Sequence, residues 1–184
     1  IISGETELAV APADTDEFLV SDAGTLKRID YSLIKASSTP YFYGEVASTT
    51  TITRSTATKV TGCTNNEVDS DSAFDGTTFT VPSGEGGKYY IELTVTGNFA
   101  SIGQDGEEIR ALLYKNGSSI KTARWRNSSA SGQTIRRAAV IVSAILDLSA
   151  TDTIELYAFL TDADSGNADY LSGETSMAGY KLIG

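Results

Sequence analysis

The second half of the chain consists of short runs in which apolar and polar residues alternate, separated by polar turns. In the clearest run, the residues at positions 89, 91, 93 and 95 (Tyr, Ile, Leu and Val) alternate with those at 90, 92, 94 and 96 (Tyr, Glu, Thr and Thr). Because successive side chains of a strand point to opposite faces, this two-residue period predicts a half-buried β-strand. A later run ends at Asn116-Gly117, whose residues tolerate the positive φ of a tight hairpin turn. The pattern predicts consecutive antiparallel strands.

Comparable runs extend to the last residues of the chain. They cover 77–82, 109–115, 118–125, 138–148, 153–160 and 176–184. We count about eight to ten strands and no helix of useful length, which predicts an all-β, antiparallel sandwich. A chain of 184 residues buries roughly 70% of its unfolded surface, so its core needs neither disulfides nor a metal.

The run 138–148 is apolar on both faces. Ile141 and Ile145 point one way, and the opposite face carries Val140, Val142, Leu146 and Leu148. A strand that is apolar on both sides must be covered on both sides. One face fits the core of the sandwich, and the other requires either a second protein surface or the N-terminal segment of the same chain.

Residues 1–39 differ from the rest and predict a short β-rich anchor segment before a head domain at 40–184. They contain three candidate strands, one possible helical turn at 32–35, and too few apolar residues for a core of their own. We expect this segment to pack on a neighbouring surface or on another chain.

Composition excludes several kinds of chemistry. The chain has no histidine, which removes the commonest general base and metal ligand, and its single cysteine, Cys63, lacks a neighbouring base in sequence. The net charge of −10 opposes binding to nucleic acid or to an anionic membrane, and no stretch is apolar enough to span a bilayer. No cofactor is implied.

Five segments, in order and spacing, resemble the globular heads of the complement and tumour-necrosis-factor superfamily. They are Phe79-Thr-Val-Pro82, Gly87-Lys-Tyr-Tyr-Ile-Glu-Leu-Thr-Val95, Leu113-Tyr-Lys-Asn-Gly117, the run from Ala144 to Leu156, and Ser176-Met-Ala-Gly-Tyr-Lys-Leu182. The resemblance covers about residues 41–184 and implies a ten-strand jelly roll that forms a homotrimer. It also implies that Ile141, Ile145 and Met177 point at the threefold axis.

The N-terminal segment has a resemblance of its own. The stretch from Ala13 to Ser32 is similar to one that recurs in bacteriophage tail-fibre and virion proteins, where it precedes a receptor-binding or decorating head. This resemblance implies that residues 1–39 dock to other virion proteins.

Two short motifs are candidates for ligand binding. Asp162, Asp164 and Asp169 offer oxygen ligands of the kind that calcium prefers, but the loop fails the calcium-loop pattern at three positions, so we predict a solvated acidic loop and no metal. Arg124-Trp125-Arg126 has an aromatic face between two cations, which suits a sugar or a partner. The alternative is a tryptophan packed at the rim of the sandwich.

Carboxylate pairs such as Glu107-Glu108 and Asp69, Asp71 are conceivable in glycoside hydrolysis, but acidic surfaces are far commoner, and we predict no catalytic residue. We therefore expect a trimeric structural protein of a bacteriophage particle, located on the virion. Its head decorates the capsid or tail, or binds a host surface glycan through loops 97–106, 127–133 and 161–173. The alternatives are an extracellular complement-like recognition module and, less favoured, a polysaccharide-degrading enzyme.

Overall fold

A computed structural model describes residues 9–34, 40–99, 106–127, 136–162 and 168–182, with the backbone alone of residue 162. The chain divides into two compact units, Ile1–Ser37 and Ser38–Gly184. This division falls close to the boundary predicted at residue 39.

The smaller unit contains an antiparallel hairpin of β1 (Glu17–Asp22) and β2 (Thr25–Asp30). Its turn places Ala23 and Gly24 at positive φ, 48° and 84°, as a two-residue hairpin loop requires. A short 3-10 turn, Tyr31–Leu33, follows the hairpin. The Tyr31 ring lies 6.0 Å from that of Phe18.

The described part of the larger unit contains twelve strands and no α-helix, which confirms the all-β prediction. They are β3 (Tyr41–Glu45), β4 (Thr50–Ile52), β5 (Thr58–Lys59), β6 (Asn65–Asp69), β7 (Thr78–Thr80), β8 (Gly87–Asn98), β9 (Gly106–Lys115), β10 (Ser118–Arg126), β11 (Arg137–Leu148), β12 (Thr153–Asp162), β13 (Ala168–Tyr170) and β14 (Ser176–Lys181). The expected count of about ten is exceeded because several of these strands have only two or three residues.

The strands form two antiparallel sheets. One, the β9 sheet, has the order β10-β9-β12-β5, and β7 also pairs with β12. The other, the β8 sheet, has the order β4-β13-β8-β14-β3-β6, and β11 pairs with β8. The core residues alternate along the central strands of both sheets. The fully buried residues of the hydrophobic core include Tyr89, Ile91, Leu93, Ile109, Leu113, Ile154, Leu156 and Leu160.

The approach of β14 to the core depends on a glycine. A Cβ atom at Gly179 would lie 2.7 Å from side-chain atoms of both Ile91 and Phe42. The ring of Phe42 needs that space because it stacks on Phe79 with centroids 4.3 Å apart. Any larger residue at 179 would therefore displace an aromatic side chain from the core.

The strand β11 lies at an edge of the β8 sheet, and β8 is its only strand partner within the described ranges. Two lysines of the β9–β10 hairpin reach across to its backbone. The Lys121 Nζ donates to the carbonyl of Ser143 at 2.7 Å, and the Lys115 Nζ donates to that of Asp147 at 3.1 Å. The hairpin itself turns at Asn116-Gly117, with φ of 51° and 73°, as the sequence predicted.

Candidate functional site

The outward side of the β8 sheet carries a row of aromatic and apolar side chains. Tyr90 lies opposite Ile145 of β11 on one side and opposite Tyr180 of β14 on the other, and Tyr180 lies opposite Tyr41 of β3. Directly opposed residues in an antiparallel pair share a face, so these four side chains cross four strands in one line. We call this line the tyrosine row. The Tyr90 and Tyr180 rings lie 5.5 Å apart.

Further apolar groups lie on the same side of the sheet. Ile145 is 65% exposed and Ile141, two rows away, is 56% exposed. Val68, opposite Tyr43, is also exposed. We call the tyrosine row together with Ile141, Tyr43 and Val68 the exposed sheet face. Apolar surface gathered in this way on one face is typical of a contact site between proteins.

Two of the four tyrosine hydroxyls of the exposed sheet face are hydrogen-bonded to carboxylates of the same chain. The Tyr90 hydroxyl donates to the Glu92 carboxylate at 2.7 Å, and the Tyr43 hydroxyl donates to that of Glu45 at 2.5 Å. The hydrogen bond to Glu45, followed by burial, raises the pKa of Tyr43 to about 12. The same kind of hydrogen bond raises the pKa of Tyr90. Both hydroxyls therefore remain donors at neutral pH. If a partner covers this face, these two hydroxyls keep their acceptors and are not buried without a hydrogen bond.

The structure corrects one of the three predicted axis residues. Met177 is completely buried in the core of its own sandwich, opposite Leu93 on β8. Its neighbours Ser176 and Ala178 face outward with Tyr180, because side chains alternate along β14. Ile141 and Ile145 do lie on the exposed sheet face, and the alternation predicted for β11 is confirmed. Their contact with a neighbouring copy stays a prediction.

The sequence analysis missed most of the tyrosine row. Tyr41, Tyr90 and Tyr180 come from strands that are distant in sequence, and they align only through the register of β3, β8 and β14. No local signal identifies such a row. The one available clue was the alternation of side chains along β14. It places Met177 and Gly179 on one face of the strand and Tyr180 on the other.

The predicted ligand motif Arg124-Trp125-Arg126 lies in a strand. It forms the end of β10, where Trp125 is partly buried and packs against the hydrophobic core. This packing is what the alternative of a tryptophan at the rim of the sandwich predicts, and it leaves only part of the Trp125 ring exposed. Arg124 and Arg126 point to the other side, the outward face of the β9 sheet.

On that outward face, two adjacent strands bring three arginines together. Arg124 lies opposite Arg110 of β9, and Arg126 lies opposite Glu108. The Glu108 Oε1 accepts from the Arg110 Nε at 2.6 Å and lies 3.6 Å from the Arg124 Nε. The hydrogen bond from Arg110 lowers the pKa of Glu108, whose side chain is 7% exposed. We call Arg110, Arg124 and Arg126 the arginine cluster.

Aromatic rings continue this face beside the arginine cluster. The Arg110 guanidinium lies 4.2 Å from the ring centroid of Phe159 on β12. Further along the same two strands, the rings of Tyr114 and Tyr157 stack with centroids 3.9 Å apart. Sequence reasoning missed Arg110 and Phe159, although the spacing Glu108-x-Arg110 beside Arg124-x-Arg126 is consistent with paired strands.

The weak calcium candidate is corrected in part. Asp169 lies in the buried strand β13 instead of a loop, and its Oδ1 accepts from the Thr51 Oγ1 at 2.6 Å. Asp164 and the side chain of Asp162 lie outside the described residues. Within the described ranges, no group of three or more acidic, cysteine or histidine side chains is placed to hold a metal. Parts of all three predicted ligand loops, 100–105, 128–133 and 163–167, also lie outside the described residues.

The remaining candidates for chemistry are engaged in the fold. Burial raises the pKa of the Cys63 thiol to about 12, which keeps it protonated. The Asp69 Oδ2 accepts from the Phe74 backbone N–H at 2.9 Å. Among the residues with described coordinates, no helix is long and apolar enough to cross a membrane.

No protein-family model and no curated protein sequence matches the chain, but several solved structures are similar to it. The globular domain of zebrafish complement 1qA protein shares 16% identity, with 79% of this chain and 98% of that chain covered and a TM-score of 0.52. The Eiger TNF of S. frugiperda shares 10%, with coverage of 79% and 94% and a TM-score of 0.52.

Murine APRIL is similar in the same way, with 11% identity, coverage of 80% and 100%, and a TM-score of 0.53. At such low identities the likeness concerns the fold. The chain has the jelly-roll sandwich of complement-like and tumour-necrosis-factor-like globular domains, as the sequence motifs implied.

Proposed function

We propose that this chain is a homotrimeric, non-enzymatic jelly-roll head in which two further copies bury the exposed sheet face of each subunit. The observation that carries the proposal is the tyrosine row, continued by Ile141, on the outward side of an otherwise complete sandwich. The similarity of the fold to complement-like and tumour-necrosis-factor-like heads supports it.

The composition of the face favours a second copy of the chain as its occupant. Tyrosine and isoleucine give large contact area at a small cost in side-chain entropy, and aromatic residues are enriched at the centres of interfaces. The carboxylates of Glu45 and Glu92 are already bonded to tyrosine hydroxyls on the same face. A threefold arrangement would bring the apolar rings together, while the Glu45 and Glu92 carboxylates keep hydrogen-bond donors from their own chain.

We further propose that the head belongs to a bacteriophage particle, where it decorates the capsid or tail or binds the host surface. The resemblance of residues 13–32 to tail-fibre connectors supports this. The smaller unit leaves Leu19 and Leu26 of its hairpin and Leu33 of its 3-10 turn exposed. A two-stranded hairpin is marginally stable by itself, which favours docking of this unit to another virion protein.

Absence of catalysis is part of the proposal. The carboxylate best placed by its neighbours, Glu108, is held ionised by Arg110 and so makes a poor general acid. The buried Cys63 makes a poor nucleophile. Release of reducing sugars from a host polysaccharide by the purified chain would contradict a purely binding function.

The trimer is tested by multi-angle light scattering. We expect the mass of three chains for the natural sequence and of one chain for Ile141→Asp/Ile145→Asp, because three pairs of new carboxylates would meet at the axis. Ile120→Asp is the matched control, since Ile120 is exposed on β10 of the other sheet. A natural chain that stays monomeric at micromolar concentration would overturn the proposal.

The virion assignment is tested by mass spectrometry of purified particles from the phage whose genome encodes the chain. We expect the protein in particles that survive a density gradient. Particles that are complete and infective without it would remove the assignment while leaving the trimer intact.

A further inference from the structure

We propose that the outward face of the β9 sheet binds an anionic saccharide, with the arginine cluster holding its acidic group and the neighbouring tyrosines contacting its sugar rings. The inference rests on the proposed function as a surface-binding head. It assigns the ligand to a sheet face rather than to the loops expected from the sequence.

The arginine cluster carries an excess of positive charge. Among the residues that the structure describes, the three guanidiniums of the arginine cluster share one carboxylate, that of Glu108, which leaves two positive charges in excess (three minus one). Lys59 and Glu155, at the far side of the same face, neutralise each other through a 2.5 Å ion pair. This surplus stands on a chain whose net charge is −10, so the face attracts anions that the rest of the surface repels.

The Arg110 guanidinium is oriented by its neighbours before any ligand binds. Arg110 is fixed between the buried carboxylate of Glu108 and the ring of Phe159. Arg124 lies directly opposite it on β10, with its side chain 54% exposed. A guanidinium that is already oriented loses little freedom on binding, and its fork of N–H donors fits carboxylate and sulfate oxygens.

Two tyrosines extend the outward face of the β9 sheet beyond the arginine cluster. Tyr114 is four residues from Arg110 along β9, about 13 Å at the rise of a strand, and its ring stacks on Tyr157. Both tyrosines are partly exposed on the outward face. Tyrosine combines an apolar ring face with a polar tip, which suits the C–H faces and hydroxyls of a sugar.

The alternatives fit less well. A nucleic acid is bound through many phosphate contacts, and two excess charges on an acidic chain supply too few. A neutral glycan would leave the excess positive charge of the arginine cluster uncompensated. An extended acidic saccharide uses both halves of the face, and three copies of a weak site on one trimer would raise the overall affinity through avidity.

The test is calorimetric titration of the full-length chain with four probes of similar length. These are a sulfated heparin-type hexasaccharide, an oligogalacturonate, the neutral maltohexaose and a single-stranded oligodeoxynucleotide. We expect submillimolar binding of at least one acidic saccharide, weakening with salt, and none of maltohexaose. Preference for the heparin-type probe identifies a sulfate ester as the group held by the arginines, and preference for the oligogalacturonate identifies a uronate.

Two double variants localise the site. Arg124→Gln/Arg126→Gln should weaken binding at least about tenfold, a loss of about 1.4 kcal/mol. Lys27→Gln/Arg28→Gln removes the same charge from the hairpin of the smaller unit and should leave binding unchanged. Tyr157→Ala should weaken binding of the saccharide without changing the net charge. Thermal unfolding of each variant confirms that the sandwich is intact.

The inference is overturned if neither acidic saccharide binds, if maltohexaose or the oligonucleotide binds as tightly, or if both double variants lose equal affinity. Light scattering of the same samples separates this outcome from the proposed assembly. A trimer that binds no acidic saccharide removes the ligand site alone, and a monomer that binds one removes the trimer alone.

Discussion

Antiparallel strands form both outward faces of this sandwich, but the two faces expose different properties to a partner. One exposes apolar area, and the other exposes uncompensated positive charge. On the outward face of the β8 sheet, the hydroxyls of Tyr43 and Tyr90 are bonded to carboxylates of the same face, and most of the remaining exposed surface is apolar or aromatic. On the β9 sheet, one buried carboxylate faces three arginines, and what remains is charge. The apolar area of the β8 sheet suits contact with a copy of the chain, and the positive charge of the β9 sheet suits an anionic ligand.

If both proposals hold, the jelly roll separates assembly from recognition by assigning each to a different sheet. Both faces depend on residues at alternate positions, whose intervening neighbours form one shared core. A substitution on either outward face therefore changes its own partner without changing the packing between the sheets. This independence can be tested by moving the same charge from one face to the other.

The largest expected effect comes from placing an arginine in the tyrosine row. Tyr180→Arg would bring three like charges to the proposed axis and is expected to lower the association constant of the trimer at least about a hundredfold, about 3 kcal/mol. Tyr114→Arg makes the same change on the β9 sheet and is expected to leave the trimer intact. Sedimentation velocity over a concentration series measures both. Equal dissociation by the two variants would mean that the faces are not distinct.

A smaller effect is expected from removing Arg110, which is the closest partner of Glu108. Arg110→Leu leaves a largely buried carboxylate with weaker partners and should lower the free energy of unfolding by about 1–3 kcal/mol. Glu108→Gln in the same chain should restore part of the loss, so urea unfolding of the two single variants and the double variant gives the coupling. Additive losses would show that Glu108 and Arg110 do not stabilise each other.

The pH dependence of this pair has a definite sign. Because the folded pKa of Glu108 is lowered, its contribution to stability is complete above the unfolded value of about 4.3. It is lost as the pH falls through the lower folded value. Stability of Glu108→Gln should therefore fall less between pH 5 and pH 3 than that of the natural chain.

The smallest effect concerns a single proton on the exposed sheet face. With its pKa raised to about 12, Tyr43 should stay protonated well above pH 10, where ordinary tyrosines ionise. Its hydrogen bond to Glu45 then stabilises the fold fully below about pH 10 and is lost as the pH rises through 12. Ultraviolet titration of the natural chain against Tyr43→Phe isolates this group. A difference spectrum that develops near pH 10 would contradict the assignment.

The sequence was sufficient for those features that depend on a local period. The alternation of 89–96 and 138–148, and the positive φ at Asn116-Gly117, follow from neighbouring residues and are present in the structure. Together with the ordered motifs they were enough for the class and the jelly roll. The resemblance of residues 13–32 to phage connectors stays a prediction.

The errors have separate causes. The resemblance placed Met177 at the threefold axis, and because small residues occur on both sides of β14, the alternation along that strand did not correct the placement. The strand β13 is short and follows an acidic segment, which concealed the burial of Asp169. The tyrosine row depends on register between strands as far apart in sequence as Tyr41 and Tyr180, and no local pattern contains that information. The arginine cluster depends on the register of one hairpin, which an irregularity between Ser119 and Lys121 shifts.

The lysines at the edge of β11 have a consequence for crowding. A free strand edge is a template on which another chain can add a strand and start a fibril. Here ammonium groups from Lys121 and Lys115 occupy two backbone carbonyls of that edge, which leaves an incoming strand fewer acceptors and a positive charge to displace. Many copies held close together on a crowded surface would therefore remain separate heads instead of fusing into a continuous ribbon.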